Sequence, residues 1–241
     1  MILINCSILL MLFLLGLPYW KKAYVLRRWQ QSLHLKQHHA VFQTIVNDIN
    51  GFALSRAARA HHEAMEYTYG EIDFMSFIAL IAMTHPTPET LFYDLGSGTG
   101  KAVLACAMVF DMQACCGIEL FDALHNAALI QQDRLRQYPA YTQKADTIHF
   151  MNDNFLNVDL SKASLIFINA TALFGDTWEK LNQQLLTQTN AGTVIITTSK
   201  PLIASRYIIK TTRVSMSWGI VTAFIHQDPC QDGDSCNFAH P

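Results

Sequence analysis

Seven residues, Asp94-Leu95-Gly96-Ser97-Gly98-Thr99-Gly100, constrain this chain more than any other segment. They follow a short apolar run at 91–95 and precede an apolar helical stretch at 101–110. Glycines at alternate positions let the backbone turn sharply and let a ligand approach the chain without meeting a Cβ. A loop at the carboxyl end of a sheet strand is also where open α/β folds hold their ligands.

The downstream sequence repeats the strand-then-helix rhythm. Strands are expected at 91–95, 114–119, 147–151, 164–168 and 193–198, with helices at 101–110, 121–138 and 177–188 between them. That alternation predicts an α/β fold with an open, mostly parallel sheet and helices on both faces. Two β-rich runs, 208–217 and 220–226 around Trp218-Gly219, predict a terminal hairpin and hence an antiparallel edge. Upstream, residues 41–60 have the apolar spacing of an amphipathic helix. A second helical run at 74–84 stops before His85-Pro86-Thr87-Pro88, where two prolines forbid continuation.

Three nucleotide ligands compete for the glycine loop. A phosphate-cradling loop needs a hydroxyl after Gly-Lys, and Ala102 follows Gly100-Lys101. A dinucleotide fold needs Gly-x-Gly-x-x-Gly, and Asp94 would repel its pyrophosphate. A ligand with a cationic amino-acid end fits better. Glu119, at the end of the second strand, can accept bonds from both hydroxyls of a ribose, and Asp153 beside Phe155 suits an adenine amino group and ring face. Carboxylates at three successive strand ends, with no cation set for a phosphate, describe S-adenosylmethionine.

Charge divides the chain unequally. Residues 1–39 hold five basic residues and no acidic one, whereas residues 40–241 hold 12 basic and 19 acidic, a net −7. A generally basic, nucleic-acid-coating body is excluded. From Met1 to Trp20 no side chain is charged and 16 of 20 are apolar, followed by Lys21-Lys22 and Arg27-Arg28. This pattern predicts a single membrane-spanning anchor with the catalytic domain on the cytoplasmic side, a cleaved signal or a packed helix being the competing readings. The six cysteines form no disulfide framework. The expected division is an anchor at 1–20, a basic amphipathic linker at 21–62, the ligand-binding domain at 63–227 and a polar tail at 228–241. In that tail Cys230, Cys236 and His240 have the spacing of half a zinc finger, although a frayed end is the simpler reading and no metal site is assigned.

Several segments resemble the Dot (disruptor of telomeric silencing) family of histone-lysine methyltransferases: Glu66-Tyr-Thr-Tyr69-Gly70-Glu71-Ile72, Asp94 to Gly100, Gly117-Ile118-Glu119, Asn154-Phe155-Leu156, Ile166-Phe-Ile-Asn169-Ala170, Thr198-Ser-Lys-Pro201 and Ser215-Met-Ser-Trp218. The resemblance runs in order over about 60–226. It implies a Rossmann-like, seven-stranded class I methyltransferase sheet and S-adenosylmethionine as cofactor. By position it implies that Tyr69, Glu71 and Ile72 close over the methionine end, that Asp94, Gly96, Ser97, Gly98 and Lys101 surround the amino-acid portion, and that Glu119 holds the ribose. Asp153 and Phe155 would hold the adenine, and Asn169 would line the acceptor channel with Phe174 as a wall. The chain departs from the family after Asn169, where Ala170-Thr-Ala-Leu-Phe174-Gly175-Asp176 is one residue longer before the glycine and lacks its proline. Lys101 stands for a common Gln and Asn152 for a Gly.

Methyl transfer to a lysine needs an in-line approach and a deprotonated amine, whose unperturbed pKa is about 10.4. An apolar channel lowers that value, and Asn169 or Tyr69 could orient the neutral amine. The expected enzyme is therefore an S-adenosylmethionine-dependent protein-lysine methyltransferase, monomeric and without a nucleic-acid partner. The acidic body turns the expected substrate away from chromatin and toward a membrane-associated protein, as in the translocase and c-subunit methyltransferases, which this chain resembles less closely. A small-molecule methyltransferase and a non-catalytic cofactor-binding module are the alternatives.

Overall fold

The computed structural model describes residues 20–21, 23–59, 69–203 and 208–227. The chain divides into two units, Met1–Val41 and Phe42–Pro241. In the first, residues 23–32 are helical and include the exposed Arg27 and Arg28. The expected anchor at 1–20 falls almost wholly outside the described residues. The single-pass membrane location is corrected: among the described residues no helix is long and apolar enough to cross a membrane. The tail with Cys230, Cys236 and His240 also lies outside them.

Among the described residues, seven α-helices and seven strands follow: α1 (Leu35–Val46), α2 (Gly51–Ala58), α3 (Phe74–Ala82), β1 (Leu91–Leu95), α4 (Lys101–Val109), β2 (Ala114–Glu119), α5 (Asp122–Arg136), α6 (Thr142–Asp146), β3 (Ile148–Asn152), β4 (Leu165–Ile168), α7 (Gly175–Gln188), β5 (Val194–Thr198), β6 (Ile208–Met216) and β7 (Gly219–Gln227). The single helix expected at 41–60 is two. The first ends at Val46, and Asn50 starts the second by accepting the Ala53 N–H at 3.0 Å on its side chain. Asp73 caps α3 in the same way, through the Ser76 N–H at 2.9 Å.

The strands form one sheet in the order β3-β2-β1-β4-β5-β7-β6, parallel except for β7, which runs antiparallel to β5 and β6. β2 and β4 are buried at every position, so their sequences show no alternation. Helices cover both faces of a parallel sheet, and a central strand then has no solvent side. One face packs Ile166, Ile168 and Ile195 against Trp178, Leu181 and Leu185 of α7. On the other, Phe77 meets the rings of Phe92 and Phe167 edge-on, at 6.2 and 5.2 Å. The strand order reverses between β1 and β4, and a crevice opens at the carboxyl ends of strands at such a reversal.

N-terminal to the sheet, α2 also takes part. Arg134 of α5 donates to the Ile45 carbonyl at 2.8 Å and to Asp48 Oδ2 at 2.8 Å, holding the α1–α2 connection beside α5. That places α2 near the same end of the sheet.

Candidate active site

A cavity of ≈ 180 Å³ lies at the carboxyl ends of β1, β2 and β4. Of the residues singled out in the sequence, Tyr69, Glu71, Ile72, Asp94, Gly96, Ser97, Gly98, Lys101, Glu119, Phe155 and Asn169 all line it. Two do not, Asp153 and Phe174.

The loop after β1 forms the floor. Gly96 and Gly98 both have left-handed backbones, with φ of 85° and 56°. A Cβ on Gly98 would lie 2.5 Å from the Tyr69 ring, whereas one on Gly96 would meet nothing and would project into free space. The Gly98 N–H donates to Glu119 Oε2 at 2.8 Å, and Glu119 Oε1 accepts the Phe121 N–H at 2.9 Å. Burial pushes the Glu119 carboxyl up, opposed by those backbone donors. Each of its oxygens keeps a lone pair, and the carboxylate is fixed in place.

Asp94 is different. It is 3% exposed, and its carboxylate has no hydrogen-bond or ion-pair partner among the described residues. Burial, and secondarily the charge on Glu119, pushes it up to about 8. A buried carboxylate facing a cavity without a cation is costly unless a ligand supplies one.

One side of the cavity is a polar chain. Lys101 Nζ reaches both oxygens of Glu71, at 2.7 and 2.9 Å, and Tyr69 donates its hydroxyl to Glu71 Oε1 at 2.7 Å. The same hydroxyl is 3.0 Å from Thr99 Oγ1. Burial, then the Glu71 charge, raises the Tyr69 phenol above its ordinary range. Its hydroxyl is therefore held between Glu71 and Thr99. Gly51 of α2 seats the Tyr69 ring, leaving no room for a Cβ, and Phe52 meets that ring edge-on at 5.1 Å.

Asn169 follows β4, with its amide oxygen accepting two hydrogen bonds and its amide nitrogen donating one. Thr171 and Thr198 donate their hydroxyls to its Oδ1, at 3.0 and 2.8 Å, and its Nδ2 donates to the Gly70 carbonyl at 3.2 Å. Thr171 has only one proton, so the 2.7 Å contact with Ser199 makes Ser199 its donor. The amide oxygen is thus turned inward, and the side chain can present only N–H to the cavity. Gly70 in turn lies against the indole of Trp218, with no space for a Cβ. Glu71 and Ser217 exchange two bonds, of 3.1 and 2.8 Å, and Ile72 bridges Met216. The Tyr-Gly-Glu segment is therefore a clasp fixed to the β6–β7 turn.

The two exceptions have local causes. β3 continues to Asn152, so Asp153 begins the turn with an exposed side chain. Its Oδ1 accepts from the Asn154 N–H at 2.7 Å and from Asn157 at 3.2 Å. Asn154, one residue on, lines the cavity instead. Similarly, a short 3-10 turn at Ala170–Ala172 carries Leu173 into the wall and leaves Phe174 51% exposed. Lys200 sits 4.1 Å over the Phe174 ring and 4.9 Å over that of Trp178, and it donates to the Leu173 carbonyl. Sequence reasoning missed Asn154 as a lining group although it stood in a quoted motif. Ser55 on α2, Phe121 and Leu124 also line the cavity, and no motif announced them.

The residues present fit S-adenosylmethionine. An unpaired carboxylate faces the cavity, the loop is open at Gly96, a second carboxylate is held with lone pairs free, and the aromatic side chains of Phe121 and Phe155 are part of the lining.

The family described as Histone methylation protein DOT1 matches residues 54–227. A Caenorhabditis elegans protein named Histone-lysine N-methyltransferase, H3 lysine-79 specific, is 30% identical in an alignment of 142 residues that covers 55% of this chain. The aligned part covers 15% of that relative's length. Among solved structures, an RNA methyltransferase from Salinibacter ruber in complex with S-adenosyl-L-homocysteine is 19% identical with a TM-score of 0.47, covering 65% of this chain and 94% of that one. A geranyl diphosphate methyltransferase in complex with GPP and sinefungin is 12% identical with a TM-score of 0.49, covering 64% and 76%.

Proposed function

Because this chain belongs to the Histone methylation protein DOT1 family, we propose that it transfers a methyl group from S-adenosylmethionine to a lysine side chain of a protein, with histone H3 the first acceptor to test. The observation that carries this reading is the buried, unpartnered carboxylate of Asp94 beside the open turn at Gly96. A ligand ammonium there restores a charge pair that the folded chain lacks.

The roles follow from chemistry. Asp94 pairs with the ammonium, while Gly96, Ser97 and Gly98 let the amino-acid portion lie on the backbone. Glu119 accepts from the ribose hydroxyls. Phe155 offers a ring face to the adenine, and Asn154 rather than Asp153 reads its amino group. Lys101 holds Glu71, Glu71 holds Tyr69, and Ile72 completes the clasp. S-adenosylmethionine supplies an activated methyl on a sulfonium, so no strong general base is needed. The chain's task is to align the amine, exclude water and favour its uncharged form. Phe167, Leu173 and Met216 provide apolar wall, which disfavours an ammonium. Asn169, turned with N–H toward the cavity, opposes an ammonium in the same sense, because donor would face donor.

The test is transfer of radiolabelled methyl to core histones and to isolated H3, followed by identification of the labelled residue. Methyl-lysine in a histone is the expected product. Label confined to small molecules would contradict the reading.

A further inference from the structure

Two serine hydroxyls in the cavity wall, those of Ser97 and Ser55, have no hydrogen-bond partner among the described residues. Ser97 belongs to the loop after β1, which is already given to the amino-acid portion of the cofactor. Ser55 stands on α2, outside every motif of the sequence, and is 1% exposed. A serine inside a helix ordinarily points its hydroxyl to solvent or bonds the carbonyl one turn back. The Ser55 hydroxyl does neither, being closed off from water and unpaired. Such a group is costly in the folded chain until something bonds it.

The helix fixes the neighbourhood of that hydroxyl. Ser55 follows Gly51 by four residues, so the two share one face of α2. Gly51 is the residue that seats the Tyr69 ring, and Tyr69 lies against Gly98, whose N–H orients Glu119. α2 also packs against α5. That helix brings Leu124 to the cavity, three residues after the Phe121 N–H that holds the second Glu119 oxygen. Ser55 thus stands between the two elements that fix Glu119.

We infer that Ser55 is a further cofactor-binding residue, whose hydroxyl donates to a ribose hydroxyl of S-adenosylmethionine. The inference rests on the placing of the ribose at Glu119 and completes its recognition. An ionised carboxylate only accepts, so Glu119 takes the protons of the ribose hydroxyls and leaves their oxygens free to accept in turn. Ser55 offers a donor that the folded chain does not use. A serine hydroxyl turns about one bond between staggered positions, so it meets a ligand against the wall without a shift of α2. The ribose edge is then read by a carboxylate from β2 and a hydroxyl from α2, which favours ribonucleoside ligands over deoxyribonucleoside ones.

The experiment is calorimetric displacement titration of the full chain and of Ser55→Ala. The ligands are S-adenosylhomocysteine and its 2′-deoxy and 3′-deoxy analogues, and thermal unfolding of the ligand-free proteins is measured alongside. Ser55→Ala is expected to bind S-adenosylhomocysteine about tenfold more weakly than the wild type does. With one deoxy analogue the two proteins should agree within about twofold, because the group Ser55 would meet is gone, whereas the other analogue keeps the tenfold loss. Ligand-free Ser55→Ala should unfold at the wild-type temperature or above it, since an unpaired polar group has left a dry site. Equal affinity of both proteins for S-adenosylhomocysteine would overturn the inference, as would a loss of one size with all three ligands. A ligand-free variant that melts below the wild type, or does not fold, would show the hydroxyl already bonded within the chain and overturn it as well. A wild type that takes up no S-adenosylhomocysteine overturns the cofactor reading instead, a result the first titration reports by itself.

Discussion

Gly98→Val is expected to weaken S-adenosylmethionine binding by about 100-fold, about 2.7 kcal/mol, while the sheet stays folded. Two effects combine. A left-handed backbone costs a residue with a Cβ about 1–2 kcal/mol, and a β-branched side chain suffers most. The new Cβ would also lie 2.5 Å from Tyr69 Cε2. Tyr69 would have to leave Glu71 and Thr99, which opens the clasp, and the Gly98 N–H that orients Glu119 would move with the loop. Two controls separate the causes. Gly192 has φ 87° with nothing near its virtual Cβ, so Gly192→Ala carries backbone strain alone and should leave cofactor affinity unchanged. Gly96→Ala meets no atom of the chain either, so any loss of binding there reports the ligand's own approach. Calorimetric titration and thermal unfolding on the same preparations supply both numbers. Equal binding losses in Gly98→Val and Gly192→Ala would refute the role given to Tyr69.

Cofactor affinity should rise steeply with pH and then level. Asp94 has its folded carboxyl raised to about 8 by burial and by Glu119, against an unfolded carboxyl in the ordinary range. The sign is fixed: below about 8 the folded, ligand-free site is mostly protonated, and an ammonium binds its ionised form. Affinity therefore climbs by up to about tenfold per pH unit from pH 6 and flattens above pH 8, with a proton released on binding. For the ligand-free chain the same shift acts against stability, which falls from the ordinary carboxylate range up to about pH 8. Asp94→Asn should bind about 100-fold more weakly at pH 8 and show little slope. Glu119→Gln removes the neighbouring charge and should move the plateau to lower pH, at a further loss of affinity. Titrations in buffers of different ionisation enthalpy count the proton. A flat wild-type profile with no proton release would remove Asp94 as the ammonium's partner.

The sheet was legible because its signals are local. Apolar runs separated by helical spacing mark β1 to β5, and the loop at 94–100 marks the reversal between β1 and β4. Most of the cavity lining was legible for the same reason, since residues at the carboxyl ends of neighbouring strands come together. What escaped depends on phase over one residue. Whether Asp153 or Asn154 turns inward is decided by β3 reaching Asn152, and whether Leu173 or Phe174 forms the wall is decided by the turn at Ala170–Ala172. Neither leaves a pattern in composition. Ser55 escaped because α2 comes to the cavity through tertiary contacts, Arg134 with Ile45 and Gly51 with Tyr69. The apolar count of residues 1–20 pointed to an anchor, and it measures hydrophobicity without fixing where the segment packs. The acidic body of residues 40–241 argued against a chromatin acceptor. Net charge averages over a surface, and recognition uses only the part around the site mouth.

The most direct test is equilibrium dialysis of the full chain against radiolabelled S-adenosylmethionine at pH 8, with Gly98→Val and Asp94→Asn alongside. One saturable site per chain, in the micromolar range and strongly weakened in both variants, is the predicted result. No saturable uptake by the wild type, or uptake unchanged in both variants, would contradict it.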